Sequence, residues 1–311
     1  MATKPRILLV EPLDEDAELR LDAGAEVVRP SATDQKTLRE AIADCDGLVA
    51  RTHTPVTREL LAAGKRLRVV GIAGVGLDNV DVAAAEELGI AVLHTPAASS
   101  DAVAEFTVAL MLQLLRPVPH LARAYRDGQF RSLRDTPHGG ELRDLTVGIV
   151  GMGRIGSRVG RIAGAGFGAK VLYNDIVEVG PFAFDAIPVD KLTLWSESDI
   201  VTLHLPATKL TRGLVDADVL ARMRPSAFLI NTARGAVVNT AALTAALQAG
   251  EIAGAALDVI EPEPLPRQHP LFAMGNCILT PHVAARTLGG LRRMCAVVDD
   301  VLAFLIDKEG R

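Results

Sequence analysis

With 311 residues the chain is long enough for two domains, and its 49% hydrophobic and 23% charged residues are those of a globular protein. A formal net charge of −5 disfavours a nucleic-acid partner, because binding to phosphates needs a basic surface. The three cysteines, Cys45, Cys277 and Cys295, are widely spaced and form no CxxC pair. They indicate free thiols in a reducing compartment and exclude a disulfide framework or a cysteine zinc site.

No stretch of the sequence is typical of targeting or membrane insertion. The N-terminus MATKPRILLV has only four apolar residues before Glu11, which is too short for a signal-peptide core. The longest apolar run, near Phe106–Leu115, is about half of a membrane span and favours a helix buried on all sides. We therefore expect a cytoplasmic protein with no membrane partner and no bound metal.

The first part of the chain alternates between strand-like and helix-like segments. The amphipathic stretches Lys36–Asp44 and Val82–Leu88 lie between short apolar runs of strand length, which are Arg6–Val10, Ala25–Val28, Gly47–Ala50, Arg68–Ile72 and Ile90–Leu93. Alternation of this kind predicts a parallel sheet with helices on both faces. A first α/β unit is therefore complete before the glycine motif of Leu145–Asp175, and two doubly wound units are needed.

A glycine-rich turn, GIAGVGLDNVD over Gly71–Asp81, follows one of these strands. Backbone N–H groups around Gly74 and Gly76 could point at an anion, because open α/β sheets bind ligands at their strand ends. An ordinary strand-to-helix turn, with Asp78 or Asn79 as the N-cap, explains the same residues equally well.

The chain crosses to a second domain after Thr95–Pro96. A long helix is predicted over Asp101–Leu115, with Pro117 and Pro119 ending it. The next stretch, Val118–Leu142, is rich in Arg, His and Gly and has weak periodicity. It is either a loop arm or an interface segment, and its basic residues are ordinarily just solvated.

The stretch Leu145–Asp175, LTVGIVGMGRIGSRVGRIAGAGFGAKVLYND, has the pattern of a dinucleotide-binding unit. An apolar strand leads to Gly151, Gly153 and Gly156, which permit a sharp turn, close approach of a pyrophosphate and close packing of the following helix. The helix, predicted over Ile155–Ala165, offers free N–H donors at its start. Asp175 comes nineteen residues after Gly156 (175 − 156), where a carboxylate binds the ribose hydroxyls and repels the phosphate of NADP. NAD is therefore the expected cofactor.

The alternation resumes after Asp175 and predicts a second doubly wound domain. The predicted strands are Ile200–His204, Ala227–Thr232, Ile252–Asp258 and Cys277–Thr280. A helix over Thr240–Ala249 should end at Gly250, and apolar residues at helical spacing predict a last helix over Leu288–Ile306.

Four short motifs place charged groups where the strands of this second domain end. They are NTARG (Asn231–Gly235), ALD (Ala256–Asp258), EPEP (Glu261–Pro264) and TPH (Thr280–His282). The carboxyl ends of parallel strands share one edge of the sheet, so these side chains should converge beside the cofactor. Each also has an ordinary explanation, namely a helix cap for Asp258, a surface ion pair for Arg234 and a hydrogen-bonded turn for His282.

In order along the chain, these motifs resemble the D-isomer-specific 2-hydroxyacid dehydrogenases over nearly the full length. The resemblance is carried by RTHTPVT at Arg51–Thr57, GVGLDNVD at Gly74–Asp81, VAEFT at Val103–Thr107 and GMGRIG at Gly151–Gly156. It continues through LHLPATKLTRGL at Leu203–Leu214 and the four strand-end motifs.

The resemblance implies a role for each matching residue. Arg234 would hold the substrate carboxylate, His282 would be the general acid/base at the 2-oxygen, and Glu263 would hold its imidazole and favour the protonated form. Arg51, Val75 and Gly76 would bind substrate together with Arg234 and His282. Asp258 would contact the nicotinamide carboxamide, and the other implied cofactor contacts are Gly151, Gly153, Arg154, Ile155, Gly156, Asp175, Thr107, Thr232, His204 and Pro206.

The resemblance also implies the domain organisation. A discontinuous, flavodoxin-like substrate domain would comprise residues 1–96 and 286–311, and a Rossmann NAD-binding domain would comprise residues 97–285. Closure of a hinge would exclude water from hydride transfer. Members of the family are commonly homodimers joined through the NAD-binding domains, with the Val118–Leu142 stretch as a plausible contact.

The implied reaction is hydride transfer between nicotinamide and a small 2-oxo or D-2-hydroxy acid. The first two motifs are similar to those of D-3-phosphoglycerate dehydrogenases, with Arg51 as a phosphate ligand, so that activity is an alternative. Those enzymes often have Arg where this chain has Ile72, and Ser99 and Ser100 stand where relatives often have Asn. Glyoxylate, hydroxypyruvate or pyruvate is therefore at least as good a candidate substrate. A different class, NAD(H)-sensing corepressors, also resembles this family, but Arg234, Glu263 and His282 favour an enzyme.

Overall fold

The computed structural model describes residues 4–307, and the chain divides into two compact units. Unit 1 consists of Met1–Ser99 and Ala285–Arg311, and unit 2 is Ser100–Ala284. Sequence predictions that extend to residues 1–3 and 308–311 lie outside the described residues. Each unit is built on a parallel sheet between helices, which confirms the predicted fold class.

The sheet of unit 1 has five parallel strands in the order β2-β1-β3-β4-β5. The strands are β1 (Arg6–Leu9), β2 (Glu26–Val28), β3 (Gly47–Ala50), β4 (Val69–Ile72) and β5 (Ala91–His94). This is the flavodoxin-like order of a doubly wound sheet. The central strands β3 and β4 are buried throughout, because helices cover both faces of a parallel sheet.

The helices of unit 1 cover the two faces of this sheet. They are Glu15–Gly24, Gln35–Ile42, Arg58–Ala63, Val82–Glu87, Leu288–Cys295 and Val297–Asp307. On one face the core contains Ile7, Val69 and Val301, so the last helix completes a core begun by the first strand. A Cβ on Gly71 would collide with Val301, which explains glycine in a buried strand. The last predicted helix, Leu288–Ile306, is in fact two helices that meet at Ala296.

The glycine-rich turn after β4 leads into a helix whose N-cap is not one of the two residues predicted from the sequence. The N-cap of the following helix is Asp81, whose carboxylate accepts the Ala84 N–H at 2.9 Å. The predicted caps Asp78 and Asn79 are therefore wrong. The amide of Asn79 instead donates to the carbonyl oxygens of Arg51 and Thr54, at 3.0 and 2.7 Å.

The sheet of unit 2 has seven parallel strands in the order β12-β11-β10-β9-β6-β7-β8. They are β6 (Thr146–Val150), β7 (Lys170–Asn174), β8 (Ile187–Pro188), β9 (Ile200–Leu203), β10 (Phe228–Asn231), β11 (Gly254–Leu257) and β12 (Cys277–Leu279). The chain begins this sheet at β6, adds β7 and β8 on one side of it, and then adds β9 to β12 on the other side. The strand order therefore reverses between β6 and β9, and ligands of open α/β sheets bind at such a switch point.

The helices of unit 2 include the long apolar helix expected from the sequence. They are Ser100–Leu115, Val118–Arg126, Phe130–Arg134, Arg154–Arg161, Lys191–Glu197, Ala217–Leu220 and Thr240–Ala249. The helix Thr240–Ala249 ends as predicted at Gly250, which has a φ of 69°. The glycine-motif helix continues as a π-helical turn over Ile162–Gly166.

The segment after Leu115 corrects two expectations. Much of the stretch predicted to have weak periodicity is helical, in Val118–Arg126 and Phe130–Arg134. Pro119 does not end the preceding helix but lies in the first turn of the next one, where a missing N–H costs no hydrogen bond. Within residues 4–307 no single helix meets the length and hydropathy of a membrane span, although Ser100–Leu115 and Val118–Arg126, bent by 48°, meet them as a pair.

Candidate active site

The glycine turn after β6 lies at the switch point of the unit 2 sheet. Gly151 has a φ of 92°, and a Cβ on it would come within 2.5 Å of the His204 carbonyl oxygen. A Cβ on Gly156 would collide with the carbonyl oxygen of Gly151. A Cβ on Gly153 would meet nothing within 4 Å, so the turn faces open space there. The two buried glycines close the turn, and the third leaves room for a ligand.

The helix Arg154–Arg161 begins at this open side. Its N-cap is Gly153, which has no side chain to occupy the first N–H groups of Arg154, Ile155 and Gly156. Uncapped N–H donors with the positive end of the helix dipole bind phosphate groups well. The turn and the helix start therefore fit the pyrophosphate of a dinucleotide.

Asp175 follows β7 directly and faces the glycine turn. Its Oδ2 accepts the Met152 N–H at 2.7 Å, and its Oδ1 accepts the Val177 N–H at 3.3 Å. A carboxylate has about four acceptor positions, so both oxygens can still accept ribose hydroxyls. The fit to NAD is therefore good on both the phosphate and the ribose side.

Two buried threonines join the long helix to the end of β10. Thr107 Oγ1 donates to the Val103 carbonyl oxygen at 2.7 Å, so Thr232 is the donor in the 2.8 Å bond between the two hydroxyls. Their hydrogens are thus both used, and Thr232 keeps acceptor capacity only. These bonds hold the helix against the strand that carries Arg234.

His204 and Pro206 follow β9, the strand on the other side of the switch point. His204 Nε2 lies 3.0 Å from Thr202 Oγ1, while its Nδ1 is shielded from solvent without a hydrogen-bond partner in the described part of the chain. Burial lowers the pKa of His204 from 6.5 to about 3, so the ring is neutral at physiological pH. The carbonyl oxygen of Pro206 accepts the hydroxyl of Thr211 at 2.5 Å.

Arg234 follows β10 in a turn that Asn231 holds. The Asn231 amide donates to the Arg234 carbonyl oxygen at 2.9 Å, and its oxygen accepts the Ala233 N–H at 3.0 Å. Arg234 Nη1 donates to the Ala233 carbonyl oxygen at 2.8 Å. A Cβ on Gly235 would collide with the backbone of Ile260, which explains the glycine of this motif.

His282 and Glu263 form the pair that the sequence motifs imply. The distance from His282 Nδ1 to Glu263 Oε1 is 2.8 Å, and the side chains are 51% and 43% exposed. The Glu263 carboxylate accepts a hydrogen bond from Nδ1–H. The Nε2 of the imidazole is therefore the nitrogen that can exchange a proton with a ligand. His282 is the one non-glycine residue with a positive φ, 55°, among residues 4–307, a conformation that the surrounding structure must enforce.

Asp258 enforces the shape of the loop that carries His282. Asp258 is only 2% exposed; its Oδ1 accepts the Thr280 hydroxyl at 2.6 Å and the Val283 N–H at 2.9 Å. Its Oδ2 accepts the Ala284 N–H at 2.9 Å, and its carbonyl oxygen accepts the His282 N–H at 2.8 Å. The helix-cap interpretation of Asp258 is therefore wrong. Sequence reasoning also missed Thr280 and Asn231, although both belong to the quoted strand-end motifs.

In unit 1, the implied substrate residues follow the neighbouring strands β3 and β4. The N–H groups of Arg51 and Thr54 donate to Glu11, at 2.6 and 3.1 Å. A Cβ on Gly74 would come within 2.6 Å of the Thr52 methyl, so the two loops touch. Among the described glycines neither Gly74 nor Gly76 has a positive φ, and the Gly74 N–H donates to Ile72. Any backbone contact to an anion would thus come from Val75 and Gly76.

Other groups with catalytic potential are few. Cys45, Cys277 and Cys295 are free thiols, and burial raises the pKa of Cys277 to about 12 and that of Cys295 to about 11. Within residues 4–307 no three His, Cys, Asp or Glu side chains are arranged to hold a metal ion. Arg234, His282 and Glu263 are therefore the candidates for catalytic chemistry in unit 2.

Comparison with known proteins identifies the family. The family model described as D-isomer specific 2-hydroxyacid dehydrogenase, NAD binding domain, matches residues 108–284. A glyoxylate reductase of Thermofilum pendens is 38% identical over 94% of this chain and 88% of its own length. A D-3-phosphoglycerate dehydrogenase of Methanocaldococcus jannaschii is 40% identical over 91% of this chain but only 54% of its own length, so the chain spans about half of that relative.

A solved structure extends the match to the whole fold. The D-lactate dehydrogenase of Aquifex aeolicus, complexed with NAD and lactic acid, is 29% identical with a TM-score of 0.85. The match covers 97% of this chain and 96% of that one. The chain therefore belongs to the D-isomer-specific 2-hydroxyacid dehydrogenase family, and residues 108–284 are its NAD-binding domain.

Proposed function

We propose that this chain is an NAD-dependent reductase of small 2-oxo acids that oxidises the corresponding D-2-hydroxy acids in the reverse direction. The observation that carries the proposal is the 2.8 Å pair of His282 and Glu263, in the same unit as Arg234 and a glycine turn that fits a dinucleotide. Unit 2 would bind the cofactor, and unit 1 would supply the remaining substrate contacts.

The proposed mechanism divides the work among three side chains. NAD held at the glycine turn would supply the hydride-transfer chemistry at C2 of the acid. Arg234 binds the substrate carboxylate with its planar fork and orients the 2-oxo group. His282 Nε2 delivers a proton to the 2-oxygen in the reduction and takes it back in the oxidation. Glu263 orients the imidazole through Nδ1 and stabilises its charged form.

The glycine turn would be occupied by NAD in preference to NADP. Asp175 lies against the turn and presents a carboxylate where the extra phosphate of NADP would have to fit. Two like charges at hydrogen-bonding distance repel, whereas ribose hydroxyls donate to the same oxygens. Asp258 is a further proposed contact, to the nicotinamide carboxamide, because its Oδ2 has accepted only one bond.

A small 2-oxo acid is the favoured substrate. Ile72, at the end of β4, is fully buried in the core of unit 1, so this position supplies no cation to a phosphate. Relatives named glyoxylate reductase also match this chain over most of their length. D-3-phosphoglycerate is the second candidate, favoured by Arg51 at the carboxyl end of β3 and by the phosphoglycerate dehydrogenases among the relatives.

We also propose a cytoplasmic homodimer. Val118, Tyr125 and Phe130 are large hydrophobic residues of unit 2 that are 62%, 60% and 51% exposed on neighbouring short helices. Three large exposed apolar side chains on neighbouring helices favour an interface with a second copy of the chain. Sedimentation equilibrium should give twice the chain mass, and Tyr125→Arg should lower the association constant. The free cysteines support a reducing compartment.

The decisive experiment is a substrate screen with matched variants. Purified protein is assayed with NADH against glyoxylate, hydroxypyruvate, pyruvate and 2-oxoglutarate, and with NAD against D-3-phosphoglycerate. His282→Ala should lower kcat by about 10²–10⁴-fold, while NADH affinity stays nearly unchanged. His120→Ala, at an exposed histidine on the helix Val118–Arg126 of unit 2, is the control and should keep full activity. NADH binding without turnover of any acid would refute the proposal and favour an NAD(H)-sensing protein.

A further inference from the structure

His94 is the last residue of strand β5 and lies beside the glycine-rich turn that follows β4. The two strands pair in parallel with Ile72 opposite His94, so the end of β5 is next to the residues just after β4. The Nδ1 of His94 lies 2.8 Å from the carbonyl oxygen of Val75. A carbonyl oxygen only accepts hydrogen bonds, so Nδ1 carries a proton and donates it. His94 therefore holds one peptide group of the turn, the one between Val75 and Gly76.

The preceding peptide group of the turn is also held by the end of β5. The carbonyl oxygen of Gly74 accepts the Thr95 N–H at 3.1 Å and the Thr95 hydroxyl at 3.3 Å. Two successive carbonyl groups of the turn thus face β5. Both peptide groups are trans, and in a trans peptide the N–H points away from the C=O. The N–H groups of Val75 and Gly76 therefore point away from β5.

These two N–H groups are available to a ligand. Within residues 4–307 neither the Val75 N–H nor the Gly76 N–H donates a hydrogen bond to another group of the chain, and both residues are partly exposed. Adjacent N–H groups at the carboxyl edge of an open α/β sheet suit an anion. A hydrogen bond to a carbonyl oxygen also polarises its peptide group, which strengthens donation by the N–H of that group. The bond from His94 therefore both orients and strengthens the Gly76 N–H.

We propose that His94 is a positioning residue for the substrate, which fixes the peptide group between Val75 and Gly76 so that its N–H donates to the carboxylate of the acid. The inference rests on the proposed function for the identity of this anion as a 2-oxo acid. The carboxylate keeps its charge throughout the reaction, so a contact to it stabilises the bound substrate and the transition state alike. Loss of such a contact raises KM and leaves kcat nearly unchanged.

The kinetic test compares two replacements of His94. His94→Asn has an amide Nδ2 as many bonds from the backbone as Nδ1 and keeps the donor, whereas His94→Leu removes it. His94→Leu should raise KM for the preferred 2-oxo acid by about 3–10-fold, the usual effect of one lost hydrogen bond, and change kcat by less than about twofold. KM for NADH should also change by less than about twofold, since the proposed cofactor residues are all in unit 2. His94→Asn is the matched control and should behave as the unmodified chain.

A binding measurement separates this inference from the proposed function. Calorimetric titration of oxamate, an unreactive amide analogue of pyruvate, into the full chain saturated with NADH needs no turnover. His94→Leu should weaken oxamate binding by about 3–10-fold, and His94→Asn should preserve it. If no acid is reduced but this pattern is found, the proposed function fails and the role of His94 stands. If His94→Leu binds oxamate as the unmodified chain does, if His94→Asn weakens binding equally, or if His94→Leu raises both KM values alike, the inference is overturned.

Nitrogen-15 NMR of the histidine side chains tests the hydrogen bond in the unmodified chain. Its outcome does not depend on activity or on whether His94→Leu folds. The His94 signal is the one that disappears in His94→Asn, and near neutral pH it should show a proton on Nδ1. An Nδ1 without a proton could not donate to the Val75 carbonyl oxygen, and this result would overturn the inference as well.

Discussion

Replacement of Asp258 by Asn keeps the shape of the side chain and removes its charge. In the structure its two oxygens accept the Thr280 hydroxyl and the N–H groups of Val283 and Ala284, at 2.6 to 2.9 Å. An asparagine has one oxygen and one NH₂ group, so in either orientation at least one of the two backbone N–H groups faces another donor.

The expected cost follows from these contacts. An unsatisfied buried donor costs about 1–3 kcal/mol, and bonds to a neutral acceptor are roughly half as strong as bonds to a carboxylate. Asp258→Asn should therefore lower the free energy of unfolding of unit 2 by about 2–4 kcal/mol. Thr280→Val, which removes one bond and strands no backbone donor, should cost only about 0.5–1.5 kcal/mol. Because the same loop holds His282 at its positive φ, kcat should fall as well.

The chain itself supplies the reporter for unit 2. Trp195 is the single tryptophan, and it is 2% exposed in the core of that unit. Its fluorescence during urea denaturation follows the unfolding of unit 2 without a contribution from unit 1. If the free energy of unfolding of Asp258→Asn from this transition lies within about 0.5 kcal/mol of that of the unmodified protein, the three bonds do not stabilise the loop.

Four further perturbations test the site. Asp175→Ala should narrow the preference for NADH over NADPH through the cofactor KM, and equal kcat/KM for both cofactors in the unmodified protein would contradict the assigned role. Arg234→Lys should mainly raise substrate KM in steady-state assays, because a point charge does not replace the fork. Glu263→Gln should shift the alkaline limb of the pH–rate profile for reduction toward acid, since a neutral partner supports the imidazolium less; an unchanged profile would mean that Glu263 only braces the fold. The depressed pKa of His204, about 3, means that unfolded chains bind a proton below about pH 6.5 that folded chains refuse, so stability falls as the pH decreases. His204→Gln should reduce that slope between pH 6 and 4 by about 1.4 kcal/mol per pH unit, measured by urea denaturation of the protein without cofactor.

The parts of the fold that sequence reasoning recovered are those with a local cause. The strand β6, the turn at Gly151 and the acid at the end of β7 occur within one short stretch, and each has a distinct residue preference. The long helix Ser100–Leu115 was recognisable because it is buried along most of its surface. In contrast, the helix Val118–Arg126 buries only Ala124. Its apolar residues Val118, Leu121 and Tyr125 recur at helical spacing, but over a stretch too short to stand out from the Arg- and Gly-rich residues that follow.

The parts that sequence reasoning missed depend on contacts between distant positions. Asp258 was considered as a helix cap, because its bonds to Val283 and Ala284 require the path of the loop after β12. The hydrogen bond between Arg286 and His53 joins residues 233 positions apart. No periodicity or motif signals such a pair, and an arginine in a loop is ordinarily just solvated.

The position of the last helix also affects how the protein is made. Val297–Asp307 covers the face of the unit 1 sheet formed by Ile7, Val49 and Val69, yet the ribosome synthesises the 185 residues of unit 2 (284 − 100 + 1) in between. At ~5–20 residues per second this takes about 10–40 s, during which that apolar face lacks its cover. Unit 2 is contiguous and free to fold during this interval. A nascent chain that stalls before Val297 would therefore expose the unit 1 sheet to chaperones and to other nascent chains.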